Sequence, residues 1–159
     1  MIEALFATLK EKHYTISCAE SCTGGLLADA FVALGGASEV FAGSAVFYMT
    51  PTKTMVLGVP KDIIAEKTVV SSEVALAMAE GCRALYQTDI GLSSTGLAGP
   101  ATPSDPAPVG TVYIGIVTPK EKTVLSLHLE GNRKDIRHKA AEEAIAGLYR
   151  LLKAEPSEL

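Results

Sequence analysis

The sequence predicts an α/β fold in which a mixed, mostly parallel β-sheet carries helices on both faces. Short apolar segments alternate with segments whose apolar residues recur at helical spacing, and strands separated by helices need crossover connections. Two strand-like segments around a short turn near the end form a hairpin, which makes the sheet mixed. At 159 residues, 48% of them hydrophobic, we predict one domain over 1–159 with a frayed tail from about 154.

The first half of the chain predicts helices and strands in turn. Helical spacing, a glycine pair at 35–36 that ends a helix, and prolines at helix starts indicate the boundaries. The predicted elements are a helix at 2–12, a strand at 14–20, a helix at 24–34, a strand at 40–48, a helical turn at 51–59 and a short helix at 60–67.

The second half predicts a long helix, three strands and a final helix. Ser72 is a suitable N-cap for the long helix, whose inward face is predicted to carry Val74, Met78, Cys82 and Leu85. The later elements are a strand at 89–96, a proline-rich loop at 97–110, hairpin strands at 111–118 and 123–130, and a helix at 132–153.

Composition excludes several functional classes. The net charge of −4 and the lack of a long basic stripe argue against nucleic acid as the principal partner. No apolar run has the length of a membrane span and 1–12 lacks a signal-peptide pattern, so we predict a cytoplasmic protein without a membrane partner. Three cysteines do not suit a disulfide framework, and the C-x3-C spacing of the first two is unlike a redox motif.

Polar and glycine-rich segments follow three of the predicted strands. These segments are ESCTGG, YMTPTK and STGLAGP. Ligands of open α/β sheets collect at the carboxyl ends of the strands, where strand gives way to loop. The sequence therefore predicts one ligand site built from these three corners.

The corner ESCTGG has a structural and a functional interpretation. Ser21 and Thr23 are suitable helix caps, and Gly24-Gly25 suits tight packing. A helix N-terminus also stabilises anions through its free N–H groups, and a serine there attacks an electrophile if a base removes its proton. The same position predicts an acidic thiol at Cys22.

Lys53 is the better candidate for that base. His13, His128 and His138 belong to no recognisable motif. Lys53 follows an apolar strand end and lies near Tyr48, where burial would lower its pKa toward neutrality. A surface lysine is the ordinary alternative, and spacing alone leaves both open.

Six ordered segments make the chain resemble the CinA C-terminal family, whose enzymatic members are nicotinamide-nucleotide amidases. They are AESCTGGLLA, VFY with a lysine five positions after the tyrosine, VVSSEVALAMAEG, STGLAGP, PVGTVYI and GNR, between about 15 and 152. The resemblance implies a three-layer α/β/α sandwich that assembles as a homo-oligomer. It also implies hydrolysis of nicotinamide mononucleotide to nicotinate mononucleotide and ammonia in pyridine nucleotide salvage, without a metal or cofactor.

Carried over onto this sequence, the resemblance implies a nucleophile, a base and a neighbouring tyrosine at Ser21, Lys53 and Tyr48. N–H groups from Cys22, Thr23, Gly24 and Gly25 are expected to stabilise the tetrahedral oxyanion. We assign the substrate phosphate to the remaining predicted donors, which are Thr95, Gly96 and Gly99 with Arg133 or Arg137.

The sequence departs from the family pattern beside the predicted base. Met49-Thr50-Pro51 stands where relatives have a hydroxyl residue, an asparagine and an acid. The loop 101–108 has Ala101-Thr102-Pro103 where relatives usually have glycines, and it also contains Pro106 and Pro108. Proline restricts its own backbone and that of the preceding residue, which bears on how Lys53 is presented. A nucleotide-binding relative without catalysis, or with altered specificity, is therefore the alternative function.

Overall fold

The computed structural model describes residues 1–156 and places a five-stranded sheet between two layers of helices. The helices are α1 (Ile2–Lys12), α2 (Leu26–Val32), α3 (Thr50–Leu57), α4 (Lys61–Lys67), α5 (Ser72–Tyr86) and α6 (Arg133–Ala154). The strands are β1 (Ile16–Glu20), β2 (Phe41–Val46), β3 (Ile90–Gly96), β4 (Thr111–Val117) and β5 (Lys122–His128). Over the described residues, no helix combines the length and apolarity that crossing a membrane requires.

The sheet is mixed, as the sequence predicts. The strand order is β2-β1-β3-β4-β5, with β1 parallel to both of its neighbours and β4 antiparallel to both of its own. Four strands therefore run in one direction and β4 runs against them. The parallel strands β2, β1 and β3 bring their carboxyl ends to one edge, and the loops that follow them build the candidate site.

Two apolar cores lie on opposite faces of the sheet and confirm the three-layer sandwich. One core packs α1, α2 and α6 against alternate strand residues such as Ile90 and Leu92. The other packs α3, α4 and α5 against the reverse face around Val74 and Met78. Burial on both faces explains why β1 is buried at every position, including its polar residues Ser17 and Glu20.

Helix α5 lies unusually close to the sheet because glycines face it from two strands. A Cβ added at Gly115 would collide with the carbonyl of Ala75, and one at Gly91 with the carbonyl of Ala79. The short side chains of α5 and these glycines therefore form one contact surface that a single methyl group disrupts.

Gly115→Ala is expected to lower the free energy of unfolding by about 1–3 kcal/mol, because the added methyl group overpacks this contact. Urea denaturation followed by circular dichroism measures the change. Gly35→Ala is the matched control, since a Cβ there meets nothing within 4 Å. Equal stability of the two variants would contradict the close packing of α5.

Two expectations about α5 are wrong. Its N-cap is Ser71 rather than Ser72, because Ser71 keeps an extended backbone and its hydroxyl accepts from the Val74 N–H at 3.2 Å. Leu85 is 51% exposed, and Tyr86 takes the inward position of the last turn by packing against the second core.

The predicted final helix extends to Ala154, and its start is closed by a capping box between Asn132 and Asp135. Beyond it, the Glu155 carboxylate lies 3.2 Å from the Lys12 ammonium. The rest of the predicted frayed tail, 157–159, lies outside the described residues, and the single domain over 1–159 stays a prediction.

Candidate active site

A cavity of about 280 Å³ opens where the loops after β1, β2 and β3 meet. Its lining includes Ser21, Tyr48, Lys53, Gly99 and Arg133, which come from all three of the polar corners and from the start of α6. The sheet topology thus brings together side chains that are separated by up to about a hundred positions in sequence. The cavity is the place where their chemistry can act on one ligand.

The predicted nucleophile and base are in direct contact. Lys53 Nζ lies 3.1 Å from Ser21 Oγ, which is within hydrogen-bonding reach. Ser21 follows the last residue of β1, and Lys53 lies in the first turn of α3, directly across the sheet edge. A serine hydroxyl and a lysine amine in contact beside a cavity have the geometry that a nucleophile and its base require.

Lys53 is held by two backbone carbonyls besides the serine. Its Nζ donates to Phe47 O at 2.5 Å and to Tyr48 O at 3.3 Å, and its side chain is 1% exposed. A neutral amine has two hydrogens and one lone pair. These three partners suit a neutral Lys53 that donates to the carbonyls and accepts from the Ser21 hydroxyl, and equally an ammonium that donates to all three.

Burial favours the same neutral form. Removal of water from around the amine lowers the pKa of Lys53 from 10.5 to about 8. An appreciable fraction of the lysine is therefore unprotonated near neutral pH, as a general base requires.

The altered segment before Lys53 does not displace it. Helix α3 begins at Thr50 with Pro51 in its first turn, where a missing N–H and a fixed backbone torsion are compatible with a helix. Met49 is exposed beside the cavity rather than packed beneath the lysine. Pro51 thus starts the helix that carries Lys53 to Ser21.

Glu20, a residue for which the sequence suggested no role, occupies the N-terminus of α2. Its carboxylate is fully buried and accepts from the N–H groups of Gly25, Leu27 and Ala28 at 2.9–3.2 Å. The hydroxyls of Thr23 and Ser44 donate to it as well, at 2.8 and 2.6 Å. Five donors and the helix dipole stabilise this buried charge without a cation.

The Glu20 carboxylate occupies some of the N–H groups of this corner and so limits those that remain available to a ligand. Gly25 donates to Glu20, and Gly24 donates to the carbonyl of Ser21 at 3.1 Å. Within residues 1–156, the N–H groups of Cys22 and Thr23 have no acceptor. Cys22 lines the cavity and Thr23, which follows it, is fully buried, so the candidate donors next to Ser21 are fewer than the four that the sequence suggested.

The thiol of Cys22 is not acidic, contrary to the sequence-based expectation. Burial raises its pKa to about 11. Loss of water around the thiol outweighs the contact with Ser94 and the positive charges of Arg137 and Lys53, all of which act to lower its pKa. All three cysteines are buried and free.

Of the two arginines assigned to the phosphate, one lines the cavity. Arg133 donates to Gly99 O at 2.6 Å and to the Tyr48 hydroxyl at 2.8 Å, which joins α6 to two of the three corners. Arg137 instead donates to the carbonyls of Cys22 and Thr23 at 3.0 and 3.1 Å. Arg137 thus stabilises the turn that follows Ser21.

The corner after β3 offers backbone donors more than side-chain ones. Thr95, Gly96 and Gly99 all line the cavity, but the Thr95 hydroxyl already donates to Val69 O at 3.0 Å. Gly99 and its neighbour Ala98 have N–H groups without an acceptor among the described residues. The sequence did not suggest Ala98 as a donor, because any residue except proline has a backbone N–H and the residue type therefore gives no signal.

Two further residues escaped the sequence analysis. Ser94 accepts from the Ser21 N–H at 3.3 Å and contacts the Thr23 hydroxyl at 2.7 Å, which ties β3 to the nucleophile turn. Asp105, in the proline-rich loop, lines the cavity. For Glu20 the sequence did contain a signal, because a charged residue at the end of a buried strand is unusual. Asp105 gave none, because polar residues are common in loops.

Sequence comparison gives a consistent set of relatives. The family model described as the CinA C-terminal domain matches residues 1–152. A CinA-like protein of Acidobacterium capsulatum is 42% identical over 144 residues, which are 91% of this chain and 35% of that protein. A putative competence-damage inducible protein of Caldanaerobacter subterraneus is 43% identical over 152 residues, 96% of this chain and 37% of that protein. This chain thus spans little more than a third of these curated relatives.

Solved structures show the same fold over almost the whole chain. A competence-damaged protein (CinA) superfamily protein of Klebsiella pneumoniae superposes with a TM-score of 0.93 at 26% identity, covering 97% of this chain and 96% of that one. The corresponding superfamily protein of Escherichia coli gives a TM-score of 0.90 at 28% identity, covering 95% of this chain and 90% of that one.

Proposed function

This chain belongs to the CinA C-terminal domain family, and we propose that it is an amidohydrolase that converts nicotinamide mononucleotide to nicotinate mononucleotide and ammonia. The observation that carries the proposal is the 3.1 Å contact between Lys53 Nζ and Ser21 Oγ at the floor of the cavity. The substrate follows from the resemblance to nicotinamide-nucleotide amidases, and the reaction would belong to pyridine nucleotide salvage.

Acylation uses Ser21 and Lys53 in turn as nucleophile and base. Ser21 Oγ attacks the carboxamide carbon while its proton passes to the neutral amine of Lys53. The tetrahedral intermediate collapses when the C–N bond breaks and Lys53 returns that proton to the departing nitrogen. Ammonia leaves, and a nicotinoyl ester of Ser21 remains.

Deacylation repeats the same steps with water. Lys53 takes a proton from water as the oxygen attacks the ester carbon, and then protonates Ser21 Oγ as the C–O bond breaks. In both steps the oxyanion is expected to lie against the N–H of Cys22, with Thr23 as a second donor. One such donor contributes roughly 3–4 kcal/mol in well-studied hydrolases.

The phosphate of the substrate is proposed to lie toward Arg133 and the turn at Ala98 and Gly99. Arg133 uses two of its guanidinium donors on Gly99 O and Tyr48, which leaves others free for an anion. Tyr48 holds Arg133 in this position and contributes its carbonyl to Lys53.

A nucleotide-binding relative without this catalysis is the second candidate function. It is favoured by Met49, Thr50 and Pro51, which depart from the family pattern beside the base. The burial of Lys53 and its contact with Ser21 favour the amidase, because a binding protein has no need of a desolvated amine next to a hydroxyl.

We also propose that the protein is cytoplasmic and assembles as a homo-oligomer. Strand β2 lies at an edge of the sheet, and the neighbouring apolar side chains Val46, Met49, Met55 and Val56 are exposed. Exposed apolar side chains beside an unpaired edge strand are typical of a surface that another copy covers.

Release of ammonia from nicotinamide mononucleotide tests the function. Purified protein is expected to produce ammonia and nicotinate mononucleotide in equal amounts, measured by a coupled ammonia assay and by chromatography. Added hydroxylamine should divert part of the product to the hydroxamate, because it competes with water for the nicotinoyl ester. Binding of the nucleotide without ammonia release would instead support the second candidate.

A further inference from the structure

Asp105 is the acidic side chain that lines the cavity. It lies in the loop between β3 and β4, half-buried, at the side of the cavity that the proline-rich segment closes. The mechanism above uses Ser21, Lys53 and Arg133 and assigns nothing to this carboxylate.

The loop holds Asp105 in one orientation. Its Oδ2 accepts from the Thr102 N–H at 2.6 Å, and its own N–H donates to the Thr102 carbonyl at 3.1 Å. Pro103 lies within this Thr102–Asp105 turn and Pro106 follows it directly, and each proline restricts the backbone there. A carboxylate that is ordered before the ligand arrives binds it with a smaller loss of entropy.

The other oxygen of Asp105 is unused. Among residues 1–156, Oδ1 accepts no hydrogen bond and no lysine or arginine nitrogen lies within 4 Å of the carboxylate. Arg133, the cation on the same cavity wall, is instead directed to Gly99 and Tyr48. Asp105 is therefore an acidic side chain in the cavity lining with an oxygen that is free to accept from a ligand.

A free carboxylate oxygen matches hydroxyl groups on a ligand. Carboxylates accept from the hydroxyls of a ribose in dinucleotide-binding proteins, and hydrogen bonds to a charged acceptor are stronger than those between neutral groups. A ribonucleotide whose reacting group lies at Ser21 and whose phosphate lies at Arg133 has its sugar between them. Asp105 lines the same cavity.

We propose that Asp105 is a specificity-determining residue that accepts from the 2′- and 3′-hydroxyls of a ribonucleotide, which would make the proline-rich loop a ribose-recognition element. The inference rests on the proposed function for the placement of the nucleotide. In this role Asp105 distinguishes ribonucleotides from their deoxy counterparts. The loop is then expected to contribute to binding rather than to the chemical step.

Calorimetric binding of matched ligand pairs tests this role. The pairs are nicotinate mononucleotide and adenosine 5′-monophosphate, each against its 2′,3′-dideoxy form. The native protein is expected to bind the ribose form about 10- to 100-fold more tightly, as expected for a hydrogen bond to a charged group. Asp105→Asn, which keeps an acceptor for the Thr102 N–H, is expected to lose most of this preference.

Ser104→Ala is the control for the loop, because Ser104 is exposed, contacts only the Thr102 hydroxyl at 3.1 Å, and lies outside the cavity. It should keep the ribose preference. No preference in the native protein, or a preference that survives Asp105→Asn, would overturn the proposal.

The outcome is separate from that of the amidase assay. A native protein that prefers ribose but releases no ammonia refutes the proposed reaction and supports the role of Asp105. In an active enzyme, Asp105→Asn should raise KM for nicotinamide mononucleotide by about 10- to 100-fold and change kcat by less than about 3-fold. A matching loss of affinity for both members of each pair would assign Asp105 to the shape of the loop instead.

Discussion

Ser21→Ala is expected to lower kcat/KM for ammonia release from nicotinamide mononucleotide by at least about 10³-fold, because it removes the atom that attacks the carboxamide. The fold should be unaffected. Ser21 is 9% exposed, and Lys53 keeps both of its carbonyl partners when the hydroxyl is lost. Initial rates measured with the purified variant, together with its thermal unfolding curve, check both statements.

The matched control for this variant is Ser126→Ala. It removes an exposed hydroxyl from β5, the edge strand at the other end of the sheet from β2. It should leave the rate unchanged. The Ser21 variant should also form no hydroxamate when hydroxylamine is added. Undiminished activity would show that the reaction proceeds without the serine nucleophile, even if the substrate is correct.

Lys53→Met is expected to lower kcat by about 10²- to 10⁴-fold, the usual contribution of a general base. Methionine is unbranched and apolar and suits a site that is 1% exposed, so the variant is expected to fold. Stopped or continuous ammonia assays at saturating substrate measure the loss. Lys61→Met, an exposed lysine on α4, is the control and should retain full activity.

The pH dependence identifies the protonation state that Lys53 needs. Because only the free amine accepts the serine proton, kcat/KM of the native protein should rise with pH and level off above its lowered pKa of about 8. This rise should be absent from the residual activity of Lys53→Met. A flat profile in the native protein between pH 6 and 9 would contradict the lysine base.

The free energy of unfolding should also depend on pH through Lys53, and the direction of this dependence follows from its lowered pKa. The pKa of Lys53 is lower in the folded protein, about 8 against 10.5, so the folded state binds fewer protons between these values. The contribution of Lys53 to stability is therefore smallest below about pH 8 and increases as the pH rises toward 10.5. The difference in the free energy of unfolding between the native protein and Lys53→Met should therefore increase across this range, as measured by urea denaturation of both proteins. The buried thiols, whose pKa values are raised, contribute an opposite trend to both proteins alike.

Local sequence patterns were sufficient for most elements because each pattern reports on its own immediate surroundings. Helical spacing located α1, α5 and α6, and the segment at 14–20 indicated a short buried strand, which is β1. The errors lie where two local interpretations were equally good. Ser71 and Ser72 are both suitable caps, and only the packing of Tyr86 decides which side of the last turn of α5 faces inward.

The site was predictable to the extent that its residues follow strand ends. Three polar corners at the carboxyl ends of predicted strands indicated one site, and the structure brings Ser21 and Lys53 together there. The roles of Glu20 and Arg137 were not predictable, because each depends on contacts made across the fold. Glu20 accepts from Ser44 on β2, and Arg137 reaches the turn after β1 from a helix more than a hundred residues later.

The sequence by itself determined the fold class, the family and the candidates for nucleophile and base, because alternation, motif order and residue chemistry are carried by the chain. Only the tertiary structure decided the state of those groups. Burial between α3 and the sheet edge lowers the pKa of Lys53, and Glu20 occupies the N–H groups of α2 and leaves Cys22 and Thr23 as donors. Desolvation and competition for hydrogen bonds depend on which distant segments of the chain come into contact. No single stretch of sequence indicates those contacts.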